Sequence, residues 1–147
     1  MNGTEVAAPA SRRTGRTHPL RRIGVAGLVA MLAAMVATAA AAALAQAVCV
    51  DFEVPEGGET IPLSGFAVVT GFFSVVGVGI AAALLRWSAH PAERFVQTAV
   101  TLTAISLVPP LLAKADTATT TALLGLHLVA AAVMIPTLAR SLRTRTD

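Results

Sequence analysis

The sequence predicts an all-α integral membrane protein, a four-helix bundle of up-down-up-down topology with both termini in the cytoplasm. Of its 147 residues, 55% are hydrophobic and only 13% are charged, against roughly 25% charged in ordinary soluble domains. The charged residues also leave four long uncharged segments, and a helix needs about 20 apolar residues to cross a bilayer. This composition excludes a disordered chain and argues against a soluble enzyme.

The four uncharged segments are residues 23–50, 60–85, 95–113 and 117–139. Each must be helical in lipid, where backbone groups find no water to bond. We therefore predict helices at about 23–49, 62–86, 94–113 and 118–139. They form one domain over 23–139, between a disordered basic cytoplasmic tail of 1–22 and a short cytoplasmic tail of 140–147.

The basic residues predict the orientation. Every Lys or Arg except Lys114 lies before the first segment, between the second and third, or after the fourth. The first connection instead carries acidic residues, among them Asp51 and Glu53. Because cytoplasmic loops are enriched in Lys and Arg, we expect both termini on the cytoplasmic side of the inner membrane.

The first segment has other interpretations. Its basic start and Ala43-Leu44-Ala45 resemble a cleavable signal peptide, but the apolar stretch is far longer than a signal h-region, which favours an uncleaved helix. Cys49 lacks the preceding residues of a lipoprotein site, and Arg12-Arg13 resembles a twin-arginine signal only weakly. The basic residues that could bind anionic lipid headgroups, or serve only as a topology signal, are Arg12, Arg13, Arg16, Arg21 and Arg22.

Small residues offer surfaces for helix packing, since lipid itself gives no hydrophobic drive for association. The first helix carries a row at Ala33, Ala37, Ala41 and Ala45, which suits a bundle interior or a dimer. The third helix is the most polar, with Gln97 and Thr101 on one face and Thr103 and Ser106 roughly opposite. This pattern predicts a helix surrounded by protein, unless its hydroxyl groups bond to their own helix.

Prolines should interrupt two helices, because proline lacks an N–H group. Pro109 and Pro110 predict a local break at the end of the third helix, and Pro136 should disturb the fourth. The freed carbonyl groups can line an ion or substrate site, or the prolines can simply shape a helix end.

His127 is the one ionisable side chain deep within a segment, and such residues are often functional. At about 1.5 Å per residue, Thr38, Thr70 and Thr103 lie at a similar depth. These three threonines, together with His127 and Ser106, are candidates for a ligand or proton site. The alternative is a neutral histidine that packs by hydrogen bonding to a threonine or a carbonyl group.

No catalytic motif accompanies this layer of polar residues at the depth of His127. There is no nucleophile motif, P-loop or dinucleotide fingerprint, and His90 and Glu93 flank a proline that is typical of a turn. We therefore predict no catalytic residue, no metal site and no cofactor. The basic residues sit at segment ends rather than in a patch, so nucleic acid is not an expected partner.

Residues 61–87, 94–113 and 123–140 resemble a group of small bacterial four-helix membrane proteins that is classed only as a domain of unknown function. The features that carry the resemblance are Ser-Leu-Val-Pro-Pro-Leu at 106–111, and His127 followed by Ile135-Pro136. The resemblance implies the four-helix fold and supplies no activity.

Three functions remain open. The first is a non-enzymatic accessory or structural subunit that acts by helix–helix interaction in the cell envelope. The second is a small transporter or channel subunit with a polar layer around His127, and the third is a membrane enzyme acting on a lipid or quinone. Expected partners are the lipid bilayer and either a second copy or another membrane protein.

Overall fold

The computed structural model describes residues 17–53, 60–112 and 115–144. In these ranges the regular secondary structure is helical, apart from an isolated bridge between Glu53 and Thr60. The helices are α1 (Thr17–Ala47), α2 (Leu63–Trp87), α3 (Pro91–Ser106), α4 (Val108–Leu112) and α5 (Thr117–Arg143). With α3 and the short α4 forming one span, four spans are long and apolar enough to cross a membrane. The predicted all-α four-helix fold is confirmed.

Two helices extend beyond their predicted ends. Helix α1 begins at Thr17, inside the segment predicted as a tail, and α5 continues to Arg143. Arg21, Arg22 and Arg140 lie on these extensions and are exposed. Charged residues mark where a span leaves the hydrocarbon, whereas a helix continues for as long as its backbone groups bond to one another. The prediction rested on the charged residues, which do not mark the helix ends.

The helices pack in antiparallel order with unequal coverage. Helix α1 lies between α2 and α5 and contacts both along its length. Helix α3 contacts α5 and α2, but in the described ranges it does not contact α1. The third span is therefore covered on one side only, and the prediction of a helix surrounded by protein is wrong for the single chain.

Two cores lie at opposite ends of the bundle. We call the end where α1 begins and α5 ends the tail end, and the end next to the first connection the loop end. The tail-end core is built from all four spans and consists of Ile23, Ala81, Ala92, Phe95, Leu138, Ala139 and Leu142. The loop-end core consists of Ala42, Phe52, Phe66 and Leu126. Phe52, from the first connection, meets Phe66 edge to face at 4.8 Å between ring centroids. Neither α3 nor α4 contributes a buried residue to the loop-end core.

Helix α1 faces its neighbours with a row of small residues. The buried small residues are Gly27, Ala30, Ala34, Thr38 and Ala42, and the larger Ile23 is buried on the same side of the helix. Ala33, from the predicted row, is exposed, so the buried face lies beside the predicted one. At Gly27 an added Cβ would lie 2.5 Å from Cγ2 of Val78, so α2 packs against α1 there with no room for a larger side chain.

Candidate functional site

Three of the predicted polar residues share one level of the bundle. Gly71 faces the Met35 side chain and Gly77 lies beside Met134, which fixes the register of α2 against its neighbours. By that register Thr38, Thr70 and His127 lie within about one helical turn of one another along the bundle axis. Thr38 is buried, and the other two are partly buried.

Hydrogen bonds do not join these residues across helices. Nδ1 of His127 lies 2.8 Å from the carbonyl oxygen of Leu123 on its own helix. Because a carbonyl oxygen only accepts, the contact fits the tautomer with the proton on Nδ1, in which Nε2 is an acceptor. Nε2 has no hydrogen-bond partner among the described residues. The histidine thus makes the backbone contact expected of a packing role while keeping one nitrogen available.

The Thr38 hydroxyl group is the unusual member of the layer. It is buried and makes no hydrogen bond among the described residues. Two other threonine hydroxyls, those of Thr121 and Thr137, bond to the carbonyl four residues earlier at 2.8 and 2.7 Å. Buried polar groups without a partner are uncommon and often belong to functional sites.

The two candidates on α3 are satisfied within their own helix. The Thr103 hydroxyl donates to the Ala99 carbonyl at 2.8 Å, and the Ser106 hydroxyl donates to the Thr103 carbonyl at 2.7 Å. Since α3 and α1 make no contact in the described ranges, Thr103 does not meet Thr38. Both α3 residues therefore adopt the backbone-bonded alternative.

The prolines act differently in the two helices. Helix α3 ends at Ser106, and α4 begins at Val108, so the break predicted for Pro109 and Pro110 is observed. There the Leu107 N–H group bonds to both the Thr103 and Ala104 carbonyl oxygens, which tightens the last turn. Pro136, by contrast, lies inside α5, which continues through it.

The outward face of α3 carries polar groups that face away from the bundle. Gln97 and Thr101 are exposed, and neither side chain makes a hydrogen bond among the described residues. The outward face of α2 is instead bulky and apolar, with Phe72, Phe73 and Val75 each at least 60% exposed. The exposed surface of α3 therefore mixes polar groups with apolar side chains such as Val100 and Ile105, whereas the outward face of α2 is apolar and suits lipid along its length.

Arginines gather at the tail end. Arg21 and Arg22, with Val25 and Ala26, line an open groove of about 410 Å³. The other predicted headgroup ligands, Arg12, Arg13 and Arg16, lie outside the described residues. A second depression of about 270 Å³ lies beside Trp87 and Arg94. Both combine cationic and apolar walls at the bundle end, as lipid headgroup contacts require.

Among the described residues, the remaining side chains that could act in catalysis do not form a cluster. In the part of the chain that the structure describes, no three His, Cys, Asp or Glu side chains gather as metal ligands. His90 and Glu93 are both exposed around the start of α3, and Cys49 is exposed with a free thiol.

Asp116 and Thr119 at the start of α5 have structural roles that our sequence analysis missed. The Asp116 carboxylate caps α5 by accepting from the backbone N–H groups of Ala118 and Thr119 at 2.7 and 3.0 Å. The Thr119 hydroxyl donates to the Asp51 carbonyl at 2.9 Å and so ties α5 to the first connection. An Asp directly before an apolar segment is a known capping signal, so the cap was predictable.

The model of a family described as "Family of unknown function (DUF6069)" matches residues 18–144. This match covers most of the chain, which therefore belongs to that family. No curated protein and no solved structure matches the chain.

Proposed function

We propose that this DUF6069 protein is a non-enzymatic accessory or structural subunit of the cell membrane that acts through helix–helix contacts. The observation that carries the proposal is the outward face of α3, where Gln97 and Thr101 are exposed without hydrogen-bond partners. Polar groups in lipid gain free energy when another helix satisfies them. The face is thus better suited to a protein partner than to acyl chains.

The partner surface can be tested by photo-cross-linking in living cells. A benzophenone amino acid placed at Ala104 on α3 should give a discrete protein adduct. The same group at Val76 on α2, which is also exposed, is the matched control and should give none. No adduct at Ala104, or equal adducts at both positions, would contradict a role for this face.

The same proposal includes an orientation with both termini in the cytoplasm of the inner membrane. The supporting pattern is that the described arginines of the helix ends, such as Arg21, Arg86 and Arg140, all lie at the tail end, as the positive-inside rule expects of a cytoplasmic side. Cys49, the only cysteine, is exposed just after α1 at the opposite end.

Cys49 makes the orientation directly measurable. A membrane-impermeant maleimide should label it in intact spheroplasts. In a Cys49→Ala background, Thr144→Cys at the end of α5 should react only after the membrane is opened. The reverse pattern of labelling would invert the topology.

A second candidate function, a small transporter or channel subunit, is favoured by the unpartnered hydroxyl of Thr38. It lies level with Thr70 and with His127, whose Nε2 is available as an acceptor. In proteoliposomes the protein would then carry a proton or potassium flux that His127→Ala abolishes while the protein still inserts. Flux equal to that of empty vesicles counts against this function, and flux unchanged in the variant counts against a role for His127.

A further inference from the structure

We infer that the outward face of α3 pairs with the same face of a second copy of this chain. The inference rests on the proposed function and names its partner. The surface consists of Gln97, Thr101, Ala104 and Val108, which are all exposed, and we call it the α3 seam. Its opposite side packs on the bundle through Ala92 and Phe95, both buried.

The spacing of the seam fits a paired helix. Its positions are separated by four, three and four residues, which is the spacing of the a and d positions of a heptad repeat. Such a row stays in contact with a parallel neighbour that crosses at about 20°. Leu107, between α3 and α4, keeps a right-handed helical conformation, so the row continues past the helix break as far as Val108.

The chemistry of the seam is complementary to itself. Two copies inserted with the same topology and related by a two-fold axis bring identical residues to identical depth. A glutamine amide and a threonine hydroxyl each donate and accept hydrogen bonds, so Gln97 can pair with Gln97 of the second copy, and Thr101 with its own equivalent. The small Ala104 allows the two backbones to approach closely.

Charge complementarity favours the same pairing. Glu93 and Arg94 are exposed in the first turn of α3, beside the seam. At about 100° per residue they lie on opposite sides of the line through Gln97. In a parallel two-fold pair, the acidic side of one helix faces the basic side of the other, so each Glu93 lies near Arg94 of the second copy. An antiparallel pair would lose this match and would require opposite membrane topologies.

Cysteine cross-linking in native membranes tests the second copy. In a Cys49→Ala background, Thr101→Cys and Ala104→Cys place thiols on the seam. Ile105→Cys is the matched control because it is exposed at nearly the same depth but lies about 100° from Ala104 around the helix. Oxidation with copper phenanthroline should produce a disulfide dimer at the seam positions and little at Ile105, since a disulfide requires Cα atoms within about 7 Å.

A second variant tests the polar contacts without altering the core. Adding Gln97→Leu to the Ala104→Cys protein should lower its association constant in vesicles about three- to thirty-fold, the range for one interhelical hydrogen bond in a membrane. Thr103→Val, whose hydroxyl bonds only to its own helix, is the control and should leave dimerisation unchanged.

The outcomes separate this inference from the proposed function. Dimers at the seam but not at Ile105 support the second copy. A seam thiol that joins a different protein overturns the second copy while leaving an interaction role intact. Equal dimers at all three positions overturn the seam, and the absence of any adduct there, together with a monomer in native mass spectrometry, contradicts both proposals.

Discussion

The two cores of the bundle differ in which helices they hold. The tail-end core joins all four spans, whereas the loop-end core joins α1, α2, α5 and the first connection. Helix α3 is thus anchored at one end, through Ala92 and Phe95, and its other end carries the proline break. The difference teaches that three helices of the bundle pack together at both ends, with a fourth attached along one side, which is why α3 keeps an exposed outward face.

Removing the anchor of α3 should break this arrangement with the largest effect. Phe95 is 2% exposed, and Phe95→Ala would leave a cavity at the only core that contains α3. Because lipid rather than water solvates the unfolded spans, we expect a loss of up to about 3 kcal/mol, below the 3–5 kcal/mol typical of soluble cores. Unfolding by a denaturing detergent measures it, with amide exchange in α3 as the local readout.

The control for that variant is Phe73→Ala on α2. Phe73 is 64% exposed, so its truncation should leave the unfolding midpoint nearly unchanged. If the two variants are equally destabilised, or if exchange in α3 does not rise for Phe95→Ala, then α3 is not anchored at the tail end.

A smaller effect is expected where α1 and α2 pack closely beside the tail-end core, against which Val78 packs. In Gly27→Ala the new methyl group would meet Val78 at 2.5 Å, and a β-branched side chain has little freedom to move aside. We expect a loss of about 1–3 kcal/mol from overpacking, measured by the same detergent titration. Gly24→Ala has nothing within 4 Å of the new atom and should be neutral or slightly stabilising, because alanine favours the helix.

These sites also show which features of the fold the sequence could predict. The spans and the break at Pro109 and Pro110 follow from hydropathy and a missing N–H group, which are local properties. The buried face of α1 does not, because alanines occur on every side of that helix and only the fit of Gly27 against Val78 selects one. Close packing between distant segments cannot be read from either helix alone.

The candidate site likewise has some features that the sequence predicts and others that it does not. The depth of His127 and Thr38 could be predicted by counting residues. Whether their polar atoms find partners could not, because the Thr38 hydroxyl lacks a bond that Thr137, in a similar helix, makes to its own backbone. Likewise Gln97 was recognised as polar, but its outward direction depends on where α2 and α5 lie.

Thr38→Val should raise the stability of the bundle, whereas Phe95→Ala and Gly27→Ala should lower it. The hydroxyl has no partner among the described residues, whereas in a separated helix it can bond to its own backbone. Removing it therefore recovers the cost of that lost bond, of order 1 kcal/mol. We expect a small rise in the detergent midpoint, whereas Thr137→Val, which removes a satisfied hydroxyl, should give none. A fall in stability for Thr38→Val would show that the hydroxyl has a partner in the membrane, such as a bound ligand or water.

The smallest effect concerns the loop end and depends on pH. Hydrogen bonding by the Thr119 side chain, and by the backbone N–H groups of Thr119 and Ala118, holds the pKa of Asp116 below its ordinary value of 3.8. Because the folded pKa is lowered, the carboxylate stabilises the cap of α5 above about pH 3.8 and loses this contribution as the pH falls through the folded pKa. Asp116→Asn keeps the cap, since asparagine caps as well as aspartate, so its detergent midpoint should vary less with pH over this range than that of the unmodified chain. Phe95→Ala should leave this pH dependence intact, because it acts at the other core and the effects of distant sites add when the bundle unfolds as one unit. If it removes the dependence instead, the midpoint reports the tail end alone and the two ends of the bundle unfold separately.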